Sequence, residues 1–376
     1  MDLSLVNTWQ ERLKVSTPNK RSRSGTLYRK KSGIEMRLYR VKSFTGIEGL
    51  QQTVEQPPSD PVGRQVLVRI RASSLNFRDL LALKGYMQAV PPGMAPNHIP
   101  LCDGAGEVVS VGADVTRVRA GDCVALTYHR DWMGGPAPHT LNTLGRGSGI
   151  NEGTLTELSI VDESELVHLP PHLSFEEAAT LPCAGVTAWY ALHGATPLYS
   201  GDDVLVLGTG GVSIFALQFA KMAGARVIAT TTSPNKIETL RQLGADVVID
   251  ASAGPGWSNE VLEVTDGRGV DVTVEVGGTA TWKDSVKSTR YNGRMSLVGA
   301  LSGNNDGLSG LFMVRGLNLH PTRVGSRHHF EQMNRAIAAN GLRPVVDKVF
   351  DFDDSKAAFE HFEHGTRIGK VVIRHS

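Results

Sequence analysis

From Glu35 onward, apolar and polar positions alternate in short runs: MRLYRV, QVLVRIRASSL, GAGEVVSVG and DCVALTY, each bounded by Gly, Pro or Asp. A period of two in β-branched text, punctuated by turn residues, predicts a partly open antiparallel barrel or sandwich. Between these runs, Phe77–Lys84 (FRDLLALK) reads as a short helix ending at Gly85. Arg130–Gly153 is rich in Gly, Pro and polar residues and reads as a long surface loop. Strands resume in TLTELSIVDESELVHLP.

Near Pro170 the period changes. SFEEAATLPCAGVTAWYALH opens with Ser174 and, three residues on, Glu177, the signature of a capping box. Strand-like and helix-like text then alternate: DVLVLG, a helix over 212–224, RVIAT, a helix over 235–243, DVVID, a helix over 257–265, DVTVEVGG, a helix over 280–290, and MSLVGA. Alternation of this kind predicts a parallel, doubly wound α/β sheet. After a helix around His329–Asn340, the tail returns to strand text in VVDKVFDF and GKVVIRH. The reading is an extension over 1–33, expected to be disordered, a barrel-like domain over 34–169 and 341–376, and a dinucleotide-type domain over 170–340.

The most informative stretch is Asp203–Ser213, DVLVLGTGGVS. A strand that runs into a glycine turn and then a helix holds the pyrophosphate of a dinucleotide. Backbone must approach the anion closely at Gly208 and Gly210, and the helix start offers free N–H groups and a partial positive charge. Thr209, Gly211 and Val212 complete this cofactor-binding set, and Ser213 stands where the fingerprint has Gly or Ala. About 20 residues beyond such a turn an NAD site places an acid on the ribose hydroxyls. Here the second strand ends in Thr230-Thr231-Thr232-Ser233 and Lys236, with no acid before Glu238. Thr231, Ser233 and Lys236 suit a 2′-phosphate, so NADP(H) is expected over NAD(H).

Composition narrows the partners. Lys and Arg total 39 against 38 Asp and Glu, a net charge of +1, so no whole-chain field recruits nucleic acid or anionic membrane. Cys102, Cys123 and Cys183 are too few and too scattered for a disulfide framework and suit a reducing compartment, so a cytoplasmic location is expected. No apolar run approaches the ~20 residues needed to span a bilayer. The basic stretch Lys20–Lys31 reads as a solvated arm ahead of a mitochondrial or nuclear targeting signal.

Taken together these stretches resemble the medium-chain dehydrogenase/reductase superfamily, over about residues 35–376. The likeness is greatest to its zinc-type alcohol dehydrogenase-like and quinone oxidoreductase-like branch. It is carried by SLNFRDLLALKG (74–85), IPLCDGAGEVVSVG (99–112), LPCAGVTAWYAL (181–192), the glycine turn with its helix (206–231), VEVGG (274–278), VGSRHHFEQMNRAI (324–337) and GKVVI (369–373). The resemblance implies a GroES-like catalytic domain, a Rossmann domain and a cleft between them, in a homodimer or homotetramer. It places Asn76 and Thr187 at the nicotinamide and the chemistry, Tyr86 near the position of a proton-donating tyrosine, and Gly277 and Arg327 at the cofactor.

Zinc-dependent members of that superfamily hold a catalytic zinc through Cys, His and Cys. The matching positions here are Asn76, Cys102 beside Asp103, and Cys183, so only the last ligand is kept in kind. Two thiolates and an amide make a poor tetrahedral set, and three cysteines cannot supply the four of a structural zinc lobe. No zinc is therefore expected, with a Cys102–Asp103–Cys183 site completed by water as the alternative. Without a Lewis acid, reduction of an electron-poor acceptor is the easier chemistry. The expected activity is hydride transfer from NADPH to a quinone or α,β-unsaturated carbonyl. An alcohol dehydrogenase or carbonyl reductase is the alternative enzyme, and a weakly catalytic NADPH-binding or RNA-binding protein the alternative of another class.

Overall fold

The structure, a computed structural model, describes residues 35–376 apart from 90–92, 142–143, 195, 300–312, 366 and 376. The extension 1–33, with its basic stretch, lies outside these residues. The period-two runs pair as antiparallel strands. Met36–Val41 (β1) and Leu50–Glu55 (β2) form a two-stranded ribbon. Gln65–Ser74 (β3), Asp103–Val111 (β4), Cys123–Leu126 (β5), Leu158–Asp162 (β6) and Leu166–His168 (β7) belong to a seven-stranded sheet with β3 at its centre.

The second half of the chain makes a six-stranded, all-parallel sheet. Its strands are Asp203–Leu207 (β8), Arg226–Thr231 (β9), Val247–Asp250 (β10), Val270–Glu275 (β11), Thr289–Leu297 (β12) and Asn318–Pro321 (β13), in the order β10-β9-β8-β11-β12-β13. The order reverses at β8, which puts the glycine turn at the switch point where such sheets bind ligands. All five residues of β8 are buried, as a central parallel strand covered on both faces requires. The tail strands Val346–Asp351 (β14) and Lys370–Arg374 (β15) return to the first sheet, where β15 pairs antiparallel with β3. Among the described residues no helix is long and apolar enough to cross a membrane.

The SFEEAATLPCAGVTAWYALH segment opens on the capping box expected at Ser174 and Glu177 and is interrupted further on. It comprises Phe175–Ala178, a π-turn over Leu181–Gly185, and a helix over Val186–His193. Pro182 removes a donor from the ladder at the break. Arg130–Gly153 does not simply lie over the surface, because Trp132, Leu144 and Arg146 are 2–3% exposed. Arg146 forms a buried ion pair with Glu165 and donates to the Thr127 carbonyl at 3.1 Å, which draws the segment inward.

Near the end of the chain, His375 is 3% exposed and its Nε2 lies 3.1 Å from Ser73 Oγ. Burial pushes its pKa down to about 3. The unfolded chain takes up a proton near pH 6.5 that the folded chain refuses, so stability present above that pH is lost as pH falls toward 3. Between pH 6.5 and 4.5 this one histidine is expected to cost up to roughly 3 kcal/mol of unfolding free energy, at about 1.4 kcal/mol per pH unit. Urea titrations of His375→Gln at both pH values should show a flatter dependence, and an unchanged slope would remove the histidine from the account.

Candidate active site

Between the two sheets lies a cleft of about 660 Å³. One wall is the glycine turn, another the start of the helix Phe77–Leu83 (α1), and Cys183 and Thr187 line the floor. The turn is built for close approach. Gly208 has φ +72, where an L side chain is strained. A Cβ on Gly210 would meet no protein atom within 4 Å, so the space above it is open to a ligand. The helix Gly211–Met222 starts there with no side chain capping its first turn, leaving its N–H groups to an anion. Ser213 Oγ donates to the Leu207 carbonyl at 2.6 Å, so this small residue closes the strand–helix junction. Seven residues of the turn, Leu207–Ser213, line the cleft. A turn of close-approaching backbone and uncapped helix N–H groups fits a dinucleotide pyrophosphate.

Beyond the turn, β9 stops at Thr231, whose Oγ1 accepts from Ser233 N at 3.1 Å. Lys236 is 8% exposed and its ammonium donates to Thr209 Oγ1 at 3.2 Å and to the Arg367 carbonyl at 3.0 Å. Burial, and the nearby Arg367 cation, hold that ammonium below the usual lysine range. Thr231, Ser233 and Lys236 thus gather beside the turn, just outside the residues that line the cleft.

On the wall facing the turn, Asn76 precedes α1 and its N–H is held by Asp79 Oδ2 at 2.8 Å. Its amide bridges two charges. Nδ2 donates to Asp103 Oδ2 at 2.8 Å, and Oδ1 accepts from Lys370 Nζ at 2.6 Å. Lys370, 2% exposed, also donates to the Leu75 carbonyl at 2.7 Å and pairs with the fully buried Asp103 at 3.1 Å. Asp103 Oδ2 takes a further proton from Ser74 Oγ at 2.8 Å. Beside this cluster the Cys102 and Cys183 sulfurs lie within 4.8 Å of one another, with Cys102 fully buried and its thiol donating to Asp103 Oδ1 at 3.7 Å. Arg78 reaches Asp79 at 3.2 Å and the Leu144 and Arg146 carbonyls at 2.8 and 2.9 Å. Burial pushes the Asp79 carboxyl up to about 6 against the pull of Arg78.

The predicted residues therefore fall into two groups. Asn76, Thr187, Gly208, Thr209, Gly210, Gly211 and Val212 all line the cleft. Three do not. Tyr86 is 65% exposed on a one-turn segment, outside the cleft-lining residues. Arg327 donates to the Ser164 carbonyl at 3.1 Å and lies beside Glu331 at 3.4 Å. Gly277 sits behind Val276, its N–H 2.6 Å from the buried Glu275 carboxylate. Two residues were missed. Glu275 also receives Gly278 N at 2.9 Å and Thr281 Oγ1 at 2.6 Å, and so shapes the VEVGG turn. Lys370 carried a signal, since a lysine opening the apolar run KVVI in strand text must find a buried partner.

The comparisons agree with this layout. Residues 63–171 match the family described as alcohol dehydrogenase GroES-like domain, and residues 211–339 the family described as zinc-binding dehydrogenase. The chain is 37% identical over 338 residues to a zinc-type alcohol dehydrogenase-like protein of Schizosaccharomyces pombe, covering 88% of this chain and 96% of that one. It is 35% identical over 285 residues to a quinone oxidoreductase of Pseudomonas aeruginosa, covering 75% and 78%. A solved structure titled NAD-dependent alcohol dehydrogenase superposes with a TM-score of 0.81 at 30% identity, covering 90% of this chain and 99% of that one. The chain belongs to the medium-chain dehydrogenase/reductase superfamily, with a Rossmann domain and a GroES-like domain.

Family names that mention zinc call for a test of the donor set. Cys102, Asp103 and Cys183 place one ligand atom each within 4.8 Å of one another. Asp103 Oδ2, however, already carries Ser74, Asn76 and an ammonium. The remaining position is an amide, which is not a zinc ligand of the usual kind. A zinc ion there would also face the buried Lys370 cation across Asp103. The residues present do not make up the tetrahedral set.

Proposed function

We propose that the protein is an NADPH-preferring reductase that transfers hydride to a quinone or α,β-unsaturated carbonyl without zinc, as a homodimer or homotetramer. One observation carries this reading. Where a metal set would stand, the chain holds a buried Lys370–Asp103 pair bridged by Asn76, and the Lys370 side chain lies against the helix start of the glycine turn. The likeness to a quinone oxidoreductase supports it. When bound, the dihydronicotinamide supplies hydride to the electron-poor carbon of the acceptor. The chain's residues bind and orient.

Asn76 has one Nδ2 proton on Asp103, and the other reaches only the Cys102 sulfur at 3.4 Å, a weak acceptor. That proton is the one a nicotinamide amide or a substrate carbonyl takes. Thr187 faces the same space from the floor. With Tyr86 out in solvent, the last proton comes from water, and rate enhancement rests on positioning.

The alternative is an alcohol dehydrogenase, favoured by the approach of Cys102, Asp103 and Cys183 to within 4.8 Å. Metal analysis of purified protein, followed by NADPH and NADH oxidation against a quinone, an enone and an aldehyde, separates the two. We expect substoichiometric metal and NADPH-dependent turnover of a quinone or enone. Stoichiometric zinc with alcohol oxidation overturns the proposal.

Cofactor preference has its own test. Lys236→Glu is expected to weaken NADPH binding at least about 10-fold more than NADH binding, a difference of about 1.4 kcal/mol. Equal losses in fluorescence titrations of both cofactors would remove the 2′-phosphate role.

A further inference from the structure

We infer that Arg367, on the segment leading into β15, is the second cation of the 2′-phosphate site and acts with Lys236. The inference rests on the reading that the cofactor is NADP(H), and adds a residue from the other domain to it. Three independent features point there.

The first is placement. The segment 367–370 runs alongside the glycine turn: Gly369 N donates to the Thr209 carbonyl at 2.9 Å, and Gly369 bridges to Gly210. A Cβ on Gly211 would meet the Lys370 side chain at 2.7 Å, so Lys370 stands at the helix start, where the pyrophosphate belongs. Three residues before Lys370, Arg367 stands at the ribose end. Its carbonyl accepts from Lys236 Nζ at 3.0 Å and from Thr209 Oγ1 at 3.3 Å.

The second is an unused donor. The guanidinium lies 3.7 Å over the Phe362 ring and donates to the Phe362 carbonyl, which fixes its plane. Its Nε is buried with no hydrogen-bond partner among the described residues. An arginine held flat on an aromatic ring is pre-organised for an oxyanion.

The third is charge. Arg367 and Lys236 are close enough that each loses basicity to burial, and Lys236 loses more to Arg367. The acid near both is Asp347, whose oxygens are engaged by His361 Nε2 at 2.7 Å and Ile368 N at 3.0 Å. Neither cation has an ion pair among the described residues. Four cationic side chains, Arg78, Arg323, Arg367 and Lys370, line the cleft, and none of its described lining residues is Asp or Glu. Two cations pressed together, with the nearby Asp347 carboxylate already engaged elsewhere, form a site that a phosphate dianion completes.

The experiment is titration of wild type and Arg367→Gln with NADPH, NADH, 2′,5′-ADP and 5′-AMP. Wild type should prefer the phosphorylated member of each pair. In R367Q, affinity for NADPH and 2′,5′-ADP should fall about 10-fold or more, with NADH and 5′-AMP changing less than about twofold. A wild type without preference sinks the NADP reading itself. A wild type with preference, but an R367Q variant that keeps it or loses both cofactors equally, sinks the role of Arg367 alone. Should R367Q fail to fold, phenylglyoxal labelling of wild type asks the same question. NADPH and 2′,5′-ADP should shield Arg367 where NADH does not, and equal shielding overturns the inference.

Discussion

Gly210→Val is expected to abolish binding of both NADPH and NADH while the protein stays folded. The backbone at Gly210 has φ −72 and ψ 173, which any residue adopts, and a Cβ there meets no protein atom within 4 Å. The added isopropyl group therefore fills only the space that backbone N–H groups offer to the pyrophosphate. Dissociation constants for both cofactors should rise on the order of 100-fold, or about 2.7 kcal/mol. The cost in stability should be about 1 kcal/mol, from the poorer N-cap residue. Gly208→Val makes the contrast. At φ +72 it strains the backbone itself, by roughly 1–2 kcal/mol, and should lower the melting temperature as well as the affinity. Titration calorimetry beside thermal melts reads both. A G210V variant that binds either cofactor normally would show that the cradle lies elsewhere.

Lys370→Met should produce the largest loss of stability. Methionine matches the length of lysine but leaves the Asp103 carboxylate, 0% exposed, without its cation. The Leu75 carbonyl and Asn76 Oδ1 lose their donor at the same time. Removing one partner of a buried pair costs about 3–5 kcal/mol, because the other charge stays buried and unpaired. Adding Asp103→Asn to K370M should return a good part of that loss, since it removes the orphaned charge. Urea denaturation of the two single variants and the double variant gives the coupling directly. A cost below about 1 kcal/mol for K370M would mean that water or a shifted side chain already solvates Asp103.

The two sites were not equally legible in the chain. The glycine turn could be read because its chemistry is local: strand, turn and helix start follow one another within Asp203–Ser213, and each residue type has a backbone reason. The doubly wound sheet was legible for the same reason, through repeated short-range alternation. The buried charge cluster around Lys370 was not. Lys370 and Asp103 are 267 residues apart, and nothing near GKVVI says which carboxylate answers the lysine. Asn76 lines the cleft, but its bridge between these two charges needs β3, β4 and β15 side by side. Tyr86 was drawn toward the cleft by its neighbours in sequence, whereas the turn at Gly85, with φ +80, carries it into solvent. The Arg130–Gly153 stretch looked like surface by composition, yet one buried partner, Glu165, pulls Arg146 inside.

The position of β15 also bears on how the protein is made. The six strands of the parallel sheet are all synthesised by Pro321, so that domain can close while the rest of the chain is still being translated. At that moment the glycine turn exists, but Gly369, which bridges to it, and Lys370, which stands at its helix start, do not. The nascent domain is a folded sheet with half a cradle. The strand that carries Gly369 and Lys370 completes that cradle only when it inserts beside β3, and so it ties the glycine turn of one sheet to the centre of the other.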